Sequence, residues 1–169
     1  AQPGDTIQVA SGTFAESLTT ARNGTAGQPI TIVGAGDTTV LRRLAVNHSY
    51  HVVQSLKLSG TTAQYSSQLF VGSGGDFNVF RNVTVDAQNA FKVYGISWNG
   101  DDTTDGSDNL LENCIVENVW AYPMVSMAGS RNVMKNCNVR NGYDVDFLRL
   151  FGYANVIQDN VFENNLVTP

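Results

Sequence analysis

A chain of 169 residues with 42% hydrophobic and only 15% charged side chains is long enough to bury one core, and its Gly, Asn, Ser and Thr favour strands joined by tight turns. A formal charge of −5 without a Lys or Arg cluster argues against a nucleic-acid binder, and no apolar run is long enough to span a bilayer. The chain starts without a leader, as a mature secreted protein or an excised fragment would.

The first predicted element is a strand over residues 3–10, where Pro3-Gly4-Asp5 turns into the alternation Thr6-Ile7-Gln8-Val9. Residues 11–14 read as a turn, and residues 15–29, with Gly24, Gly27 and Pro29, as a long excursion. The strand pattern resumes at Ile30, 23 residues after Ile7, and again at Val52. Further copies follow at His51–Leu58 and Asn78–Val85.

Asn109–Asn118, Asn132–Asn141 and Asn155–Asn164 then repeat one polarity pattern at a spacing of 23 residues. Within each copy a short strand meets a one-residue corner and a second strand follows. A third strand precedes each copy and ends in glycine: Ile96–Gly100, Val125–Gly129 and Leu148–Gly152. Three short strands per turn with tight corners and one variable loop predict an all-β, single-stranded parallel β-helix, a solenoid of about six to seven coils. Residues 1–169 read as one such domain. Helix-pair repeats are excluded by the period-2 alternation, and leucine-rich repeats by the missing leucine skeleton.

Ser55, Asn82, Asn113, Asn136 and Asp159 are expected to stack at one corner, where Asn tolerates left-handed backbone and side-chain amides can bond along the axis. Asn118, Asn141 and Asn164 suggest a second ladder. Cys114 and Cys137 stand one repeat apart, hence one above the other, as a pair of small buried side chains or as a disulfide.

Pro3-Gly4-Asp5-Thr6-Ile7 with Gly12-Thr13-Phe14, then Gln28-Pro29-Ile30-Thr31-Ile32, resembles the opening coils of right-handed parallel β-helix proteins of the pectate-lyase-like superfamily, closest in style to the chondroitinase B and alginate lyase group. The Asn-corner repeats extend that resemblance over the chain. It implies fold more than activity. In such relatives a short capping helix precedes the Pro-Gly-Asp strand. Open ends here would continue into a longer chain or self-associate by stacking.

Alternation puts Phe70, Ser97, Ser126 and Arg149 in one outward column, the candidate substrate-binding face. In the lyases that this chain resembles, substrate lies across such a face, a Lys or Arg removes the proton beside the uronate carboxylate, and acidic residues or calcium neutralise that carboxylate. Arg149 is the candidate base or carboxylate partner, or a surface arginine tied to a nearby acid. Asp144 and Asp146 could pair Arg149, bind a metal or cap a corner. Asp101, Asp102, Asp105 and Asp108 form an acidic loop with hard oxygen donors suited to Ca²⁺, although a solvated turn has the same composition and the loop lacks the EF-hand pattern. His48 and His51 stand too isolated for a metal or acid–base pair. Asn23, Asn47 and Asn82 open glycosylation sequons by pattern.

The expected function is an extracellular or cell-surface β-helix that binds or processes an acidic polysaccharide, lyase-like if enzymatic. The alternative is a structural solenoid module of a fibre, adhesin or tailspike that assembles end to end.

Overall fold

The computed structural model describes residues 1–60, 62–98 and 106–166. Its elements begin with β1 (Thr6–Gln8), β2 (Gly12–Thr19), β3 (Ile30–Val46), β4 (His51–Ser59) and β5 (Ser67–Val71). There follow β6 (Val79–Asp86), β7 (Tyr94–Trp98), β8 (Leu110–Glu112), β9 (Ile115–Trp120) and β10 (Val125–Met127). The last are β11 (Val133–Lys135), β12 (Asn138–Tyr143), β13 (Leu148–Leu150), β14 (Val156–Gln158) and β15 (Val161–Leu166). Every pairing among these strands is parallel. With no helix among the described residues, the chain is the expected β-solenoid, of about six turns.

Three faces run along the axis, each with an inward column that the register defines. One stacks Ile32, Val53, Phe80, Leu111, Met134 and Ile157. The next stacks Leu41, Leu58, Val85, Val116, Val139 and Phe162. The third stacks Leu44, Leu69, Ile96, Val125 and Leu148. Members in the middle coils are fully buried, among them Phe80, Leu111, Met134, Leu69 and Ile96 at 0% exposure. Because side chains alternate along each strand, one apolar residue in two suffices to fill this core.

The corners explain the asparagines. Ser55, Asn82, Asn113, Asn136 and Asp159 all take left-handed backbone, with φ between 51° and 55°, as their spacing predicts. Their side chains do not form the expected amide stack, however. Asn82, Asn113, Asn136 and Asp159 are exposed, and the corner is held through the backbone, as in Asn113 N–H to the Lys135 carbonyl at 3.2 Å.

The buried amide ladder lies one corner upstream, on the asparagine that opens each repeat. His51 N–H donates to Asn78 Oδ1 at 2.7 Å, Asn78 N–H to Asn109 Oδ1 at 2.8 Å, Asn109 N–H to Asn132 Oδ1 at 2.9 Å and Asn132 N–H to Asn155 Oδ1 at 2.8 Å. Each amide satisfies a backbone donor that the turn leaves unpaired, which an interior position requires. In the second expected ladder, Asn164 Nδ2 donates to Asn141 Oδ1 at 3.4 Å, and Asn118 Nδ2 turns to Asp86 Oδ1 at 2.9 Å.

Cys114 and Cys137 are buried free thiols. Cys114 N–H donates to Cys137 Sγ at 3.5 Å, while Cys137 N–H donates to Asn160 Oδ1 at 2.8 Å. The sulfur thus stands in the acceptor position that an amide fills one coil later. Burial pushes the Cys114 thiol well above its ordinary range.

One expectation fails near the start. Residues 15–19 are part of the stack, because β2 runs from Gly12 to Thr19 and pairs Ser17, Leu18 and Thr19 with Arg43, Leu44 and Ala45. A bulge between Phe14 and Ser17 breaks the period-2 pattern that would have revealed this strand.

Candidate functional site

The face formed by the end of β3 with β5, β7, β10 and β13 carries the candidate residues. Phe70 pairs with Ser97, Ser97 with Ser126 and Ser126 with Arg149, so the outward column exists in the register read from the sequence. Adjacent strands stand about 4.8 Å apart. Ser97 and Ser126 are half-buried, and Arg149 is exposed.

Arg149 is tied to a nearby acid, as one of its expected roles required: Nε donates to Asp146 Oδ2 at 2.5 Å. Both side chains are about half exposed, at 52% and 53%, so the pair contributes little stability and holds the guanidinium in place without removing it from solvent. Remaining guanidinium N–H groups can still receive a carboxylate.

This pair borders a groove of about 600 Å³ lined by Tyr94, Tyr122, Pro123, Asp144, Asp146 and Arg149, among others. Its aromatic wall comes from Tyr94, which opens β7, and Tyr122, in the loop before β10. Tyr94 and Tyr122 meet edge to face at 4.6 Å, and Tyr65 meets Tyr122 at 5.5 Å. Lys92 Nζ lies 3.3 Å from Tyr65 Oη and sits over the rings of Tyr65 and Phe91 at 5.5 and 5.0 Å. Phe91 packs on Trp120 at 4.9 Å. Tyr65 is 60% exposed, so much of this surface remains open.

Sequence reasoning missed Tyr65, Lys92, Tyr94 and Tyr122. Their signal is positional: Tyr65, Lys92 and Tyr122 each stand two or three residues before a strand of this face, but the loops around them differ in length and hide the periodicity.

Of the expected calcium ligands, Asp101, Asp102 and Asp105 lie outside the described residues. Asp108 is described, and its two carboxylate oxygens take Arg131 Nε at 2.7 Å and Nη2 at 2.5 Å. Among the described residues no three acidic, His or Cys side chains gather as a metal site. His48 Nδ1 bonds Thr20 Oγ1 at 2.9 Å, and His51 is buried with Nδ1 on the His48 carbonyl at 3.2 Å. Both serve the turn.

Chemically, the flank combines sugar-sized aromatic walls with a fixed guanidinium and two carboxylates. Such a surface can pack against a polyhydroxylated ring and hydrogen-bond its substituents.

The fold places the chain in a known family. The sequence matches the right handed beta helix region over residues 44–168, and the chain belongs to that family of right-handed parallel β-helices. No curated protein sequence matches it.

Among solved structures it is similar to the PL6 family polysaccharide lyase Pedsa3628 from Pseudopedobacter saltans, with a TM-score of 0.77 and 18% identity over 96% of this chain and 43% of the lyase. It is also similar to a pectin methylesterase from Yersinia enterocolitica, with a TM-score of 0.62 and 15% identity over 94% of this chain and 62% of the esterase. The pectin methylesterase PemA from Erwinia chrysanthemi gives a TM-score of 0.58 and 14% identity over 86% of this chain and 52% of that one. The chain therefore spans less than two thirds of each. At these identities the likeness is one of fold.

Proposed function

We propose that the protein is an extracellular β-helix that binds or processes an acidic polysaccharide on the flank around Arg149, with a lyase-like reaction where it processes. The observation that carries this reading is the groove itself: Arg149, fixed by Asp146, borders a 600 Å³ opening walled by Tyr94 and Tyr122. Two of the structures similar in fold are named as a polysaccharide lyase and a pectin methylesterase, which supports a glycan as ligand.

In this reading Arg149 receives a uronate carboxylate, and the tyrosine rings pack against the sugar faces. Elimination would move the proton from the carbon beside that carboxylate to a base, form a carbon–carbon double bond, break the bond to the glycosidic oxygen and pass the same proton on to that oxygen as it leaves. A guanidinium stays charged in proteins, so Arg149 suits the carboxylate and Asp146 suits the proton. Calcium enters the proposal through Asp101, Asp102 and Asp105, whose oxygens are of the hard type that Ca²⁺ takes.

Titration calorimetry with pectate, alginate and chondroitin oligosaccharides against a neutral glucan, each with calcium and with chelator, tests the reading. Binding of at least one acidic glycan and none of the neutral one is expected; equal or absent binding of both would refute it. Ultraviolet absorbance of the unsaturated uronate separates processing from binding.

A further inference from the structure

We propose that Arg42 and Arg43 form a second anion subsite on the same flank, so that one extended acidic glycan lies along the solenoid axis and is held near both ends of the flank. This rests on the acidic-polysaccharide reading and extends it to residues of the first coils.

The distribution of charge partners points there. Of the ten basic residues, Lys57, Arg81, Arg131, Lys135, Arg140 and Arg149 each hold a carboxylate. Arg22, Arg42, Arg43 and Lys92 have no acidic partner among the described residues, and Arg22 bonds the Gln2 amide at 2.7 Å. In a chain of net charge −5, acids are plentiful. Yet three cations without one, Arg42, Arg43 and Lys92, lie on the flank that carries Arg149.

Local structure builds the subsite. Leu41 and Leu44 both point inward, at 6% and 0% exposure, and the two arginines between them turn outward at a corner of β3. With Ser17, Thr62, Ala63 and Ser66 they line a pocket of about 260 Å³. Arg42 Nη2 donates to Ser17 Oγ at 3.0 Å, and Arg43 Nε donates to the Ser67 carbonyl at 2.9 Å. Each contact orients a guanidinium and leaves most of its five donors open. Arg43 also lies over the Phe70 ring at 5.6 Å, which ties the pocket to the outward column.

Two further features favour an anion. Thr62 Oγ1, on the pocket lining, is buried and has no partner among the described residues. Burial also lowers the affinity of Arg43 for its proton, the mark of a cation held partly out of water without a counter-charge, and a bound anion would offset that cost.

Spacing decides between a separate ion site and one long ligand. Arg43 lies beside β5 in the stack and Arg149 sits in β13, with β5, β7 and β10 between β3 and β13. Four strand steps amount to about 19 Å. Lys92 precedes β7, midway, so the cations recur about every 10 Å, or two strand steps. A polymer bearing carboxylates at regular intervals can engage all three, and a second contact on one chain gains from effective concentration.

The test uses calorimetry on the full chain with oligouronates of two or three sugars and of eight or more. R42Q/R43Q should bind the long oligomers about tenfold or more weakly, since it removes the charge-assisted hydrogen bonds to the anion, and the short ones within about twofold of wild type. Arg42→Gln alone removes only the Ser17 contact and serves where the double variant is unstable; it should weaken long oligomers in the same direction. Wild-type binding of long oligomers that neither variant weakens would overturn the subsite and leave the broader reading standing. An equal loss on short and long oligomers would mark a structural effect and also overturn it. No binding by wild type would sink both.

Discussion

The corner lined by Asn78, Asn109, Asn132 and Asn155 and the flank carrying Arg43, Lys92 and Arg149 are built from the same coils, yet they treat polar groups in opposite ways. At the corner each amide closes onto the backbone of the neighbouring coil, and Asn132 is 0% exposed. On the flank the cations face aromatic rings and solvent, and the Arg149–Asp146 pair is half exposed. A solenoid needs its hydrogen bonds closed where coils stack, but a surface that recognises a ligand must leave donors unspent. On the proposed reading, stability and ligand binding fall on different sides of one stack, and substitutions should separate them.

The largest effect is expected at Asn132. Its Oδ1 accepts from Asn109 N–H and its Nδ2 donates to the Ala128 carbonyl at 2.9 Å, so Asn132→Ala strands two buried groups. Each costs about 1–3 kcal/mol; urea unfolding should show a loss of about 2–6 kcal/mol. Glycan affinity per folded molecule should hardly change.

Arg149→Gln should do the reverse. Because exposed ion pairs contribute about 0–1 kcal/mol, unfolding should shift little, while affinity for an acidic oligosaccharide should fall about tenfold, equal to 1.4 kcal/mol. Asp146→Asn frees the guanidinium from its counter-charge and should raise that affinity, as calorimetry would show. If elimination occurs, the same variant should abolish it.

How far the sequence foretold these two regions differs for a physical reason. The stack was legible because each strand must alternate and each corner needs a residue that accepts left-handed backbone; Asn113 and Asn136, at φ 55° and 53°, punctuate the chain where those demands recur. The amide ladder was assigned to the wrong asparagines, since composition cannot tell an exposed corner Asn113 from a buried Asn109. The outward column Phe70, Ser97, Ser126 and Arg149 followed from alternation. Tyr65, Lys92 and Tyr122 did not, because they occupy loops without a fixed period. Arg42 and Arg43 are adjacent in sequence, and their relation to Lys92 emerges only when β3, β5 and β7 are stacked.

Smaller effects sharpen the corner side of the comparison. Asn113→Ala should cost up to about 1–2 kcal/mol, because Asn tolerates left-handed backbone better than other residues with a Cβ, whereas Asn113→Gly should be near neutral in thermal unfolding. At Asp86 burial works against the carboxylate, but donors from Asn118, Lys57 and the Gln88 N–H outweigh it and hold the group below the ordinary aspartate range. A depressed folded value means that its stabilisation is present above the unfolded pKa of about 3.9 and is lost as pH falls through the folded value. Asp86→Asn should therefore flatten the acid limb of the stability profile, and an unchanged limb would show that the network does not matter.

The central claim is that the flank recognises acidic glycan. Its most direct measurement is calorimetric titration of wild type and Arg149→Gln with one long oligouronate, at low and at high salt. Binding by wild type that weakens with salt and falls about tenfold in the variant, equal to 1.4 kcal/mol, is the predicted result. Wild-type binding that neither salt nor Arg149→Gln weakens, or no binding at all, would contradict it.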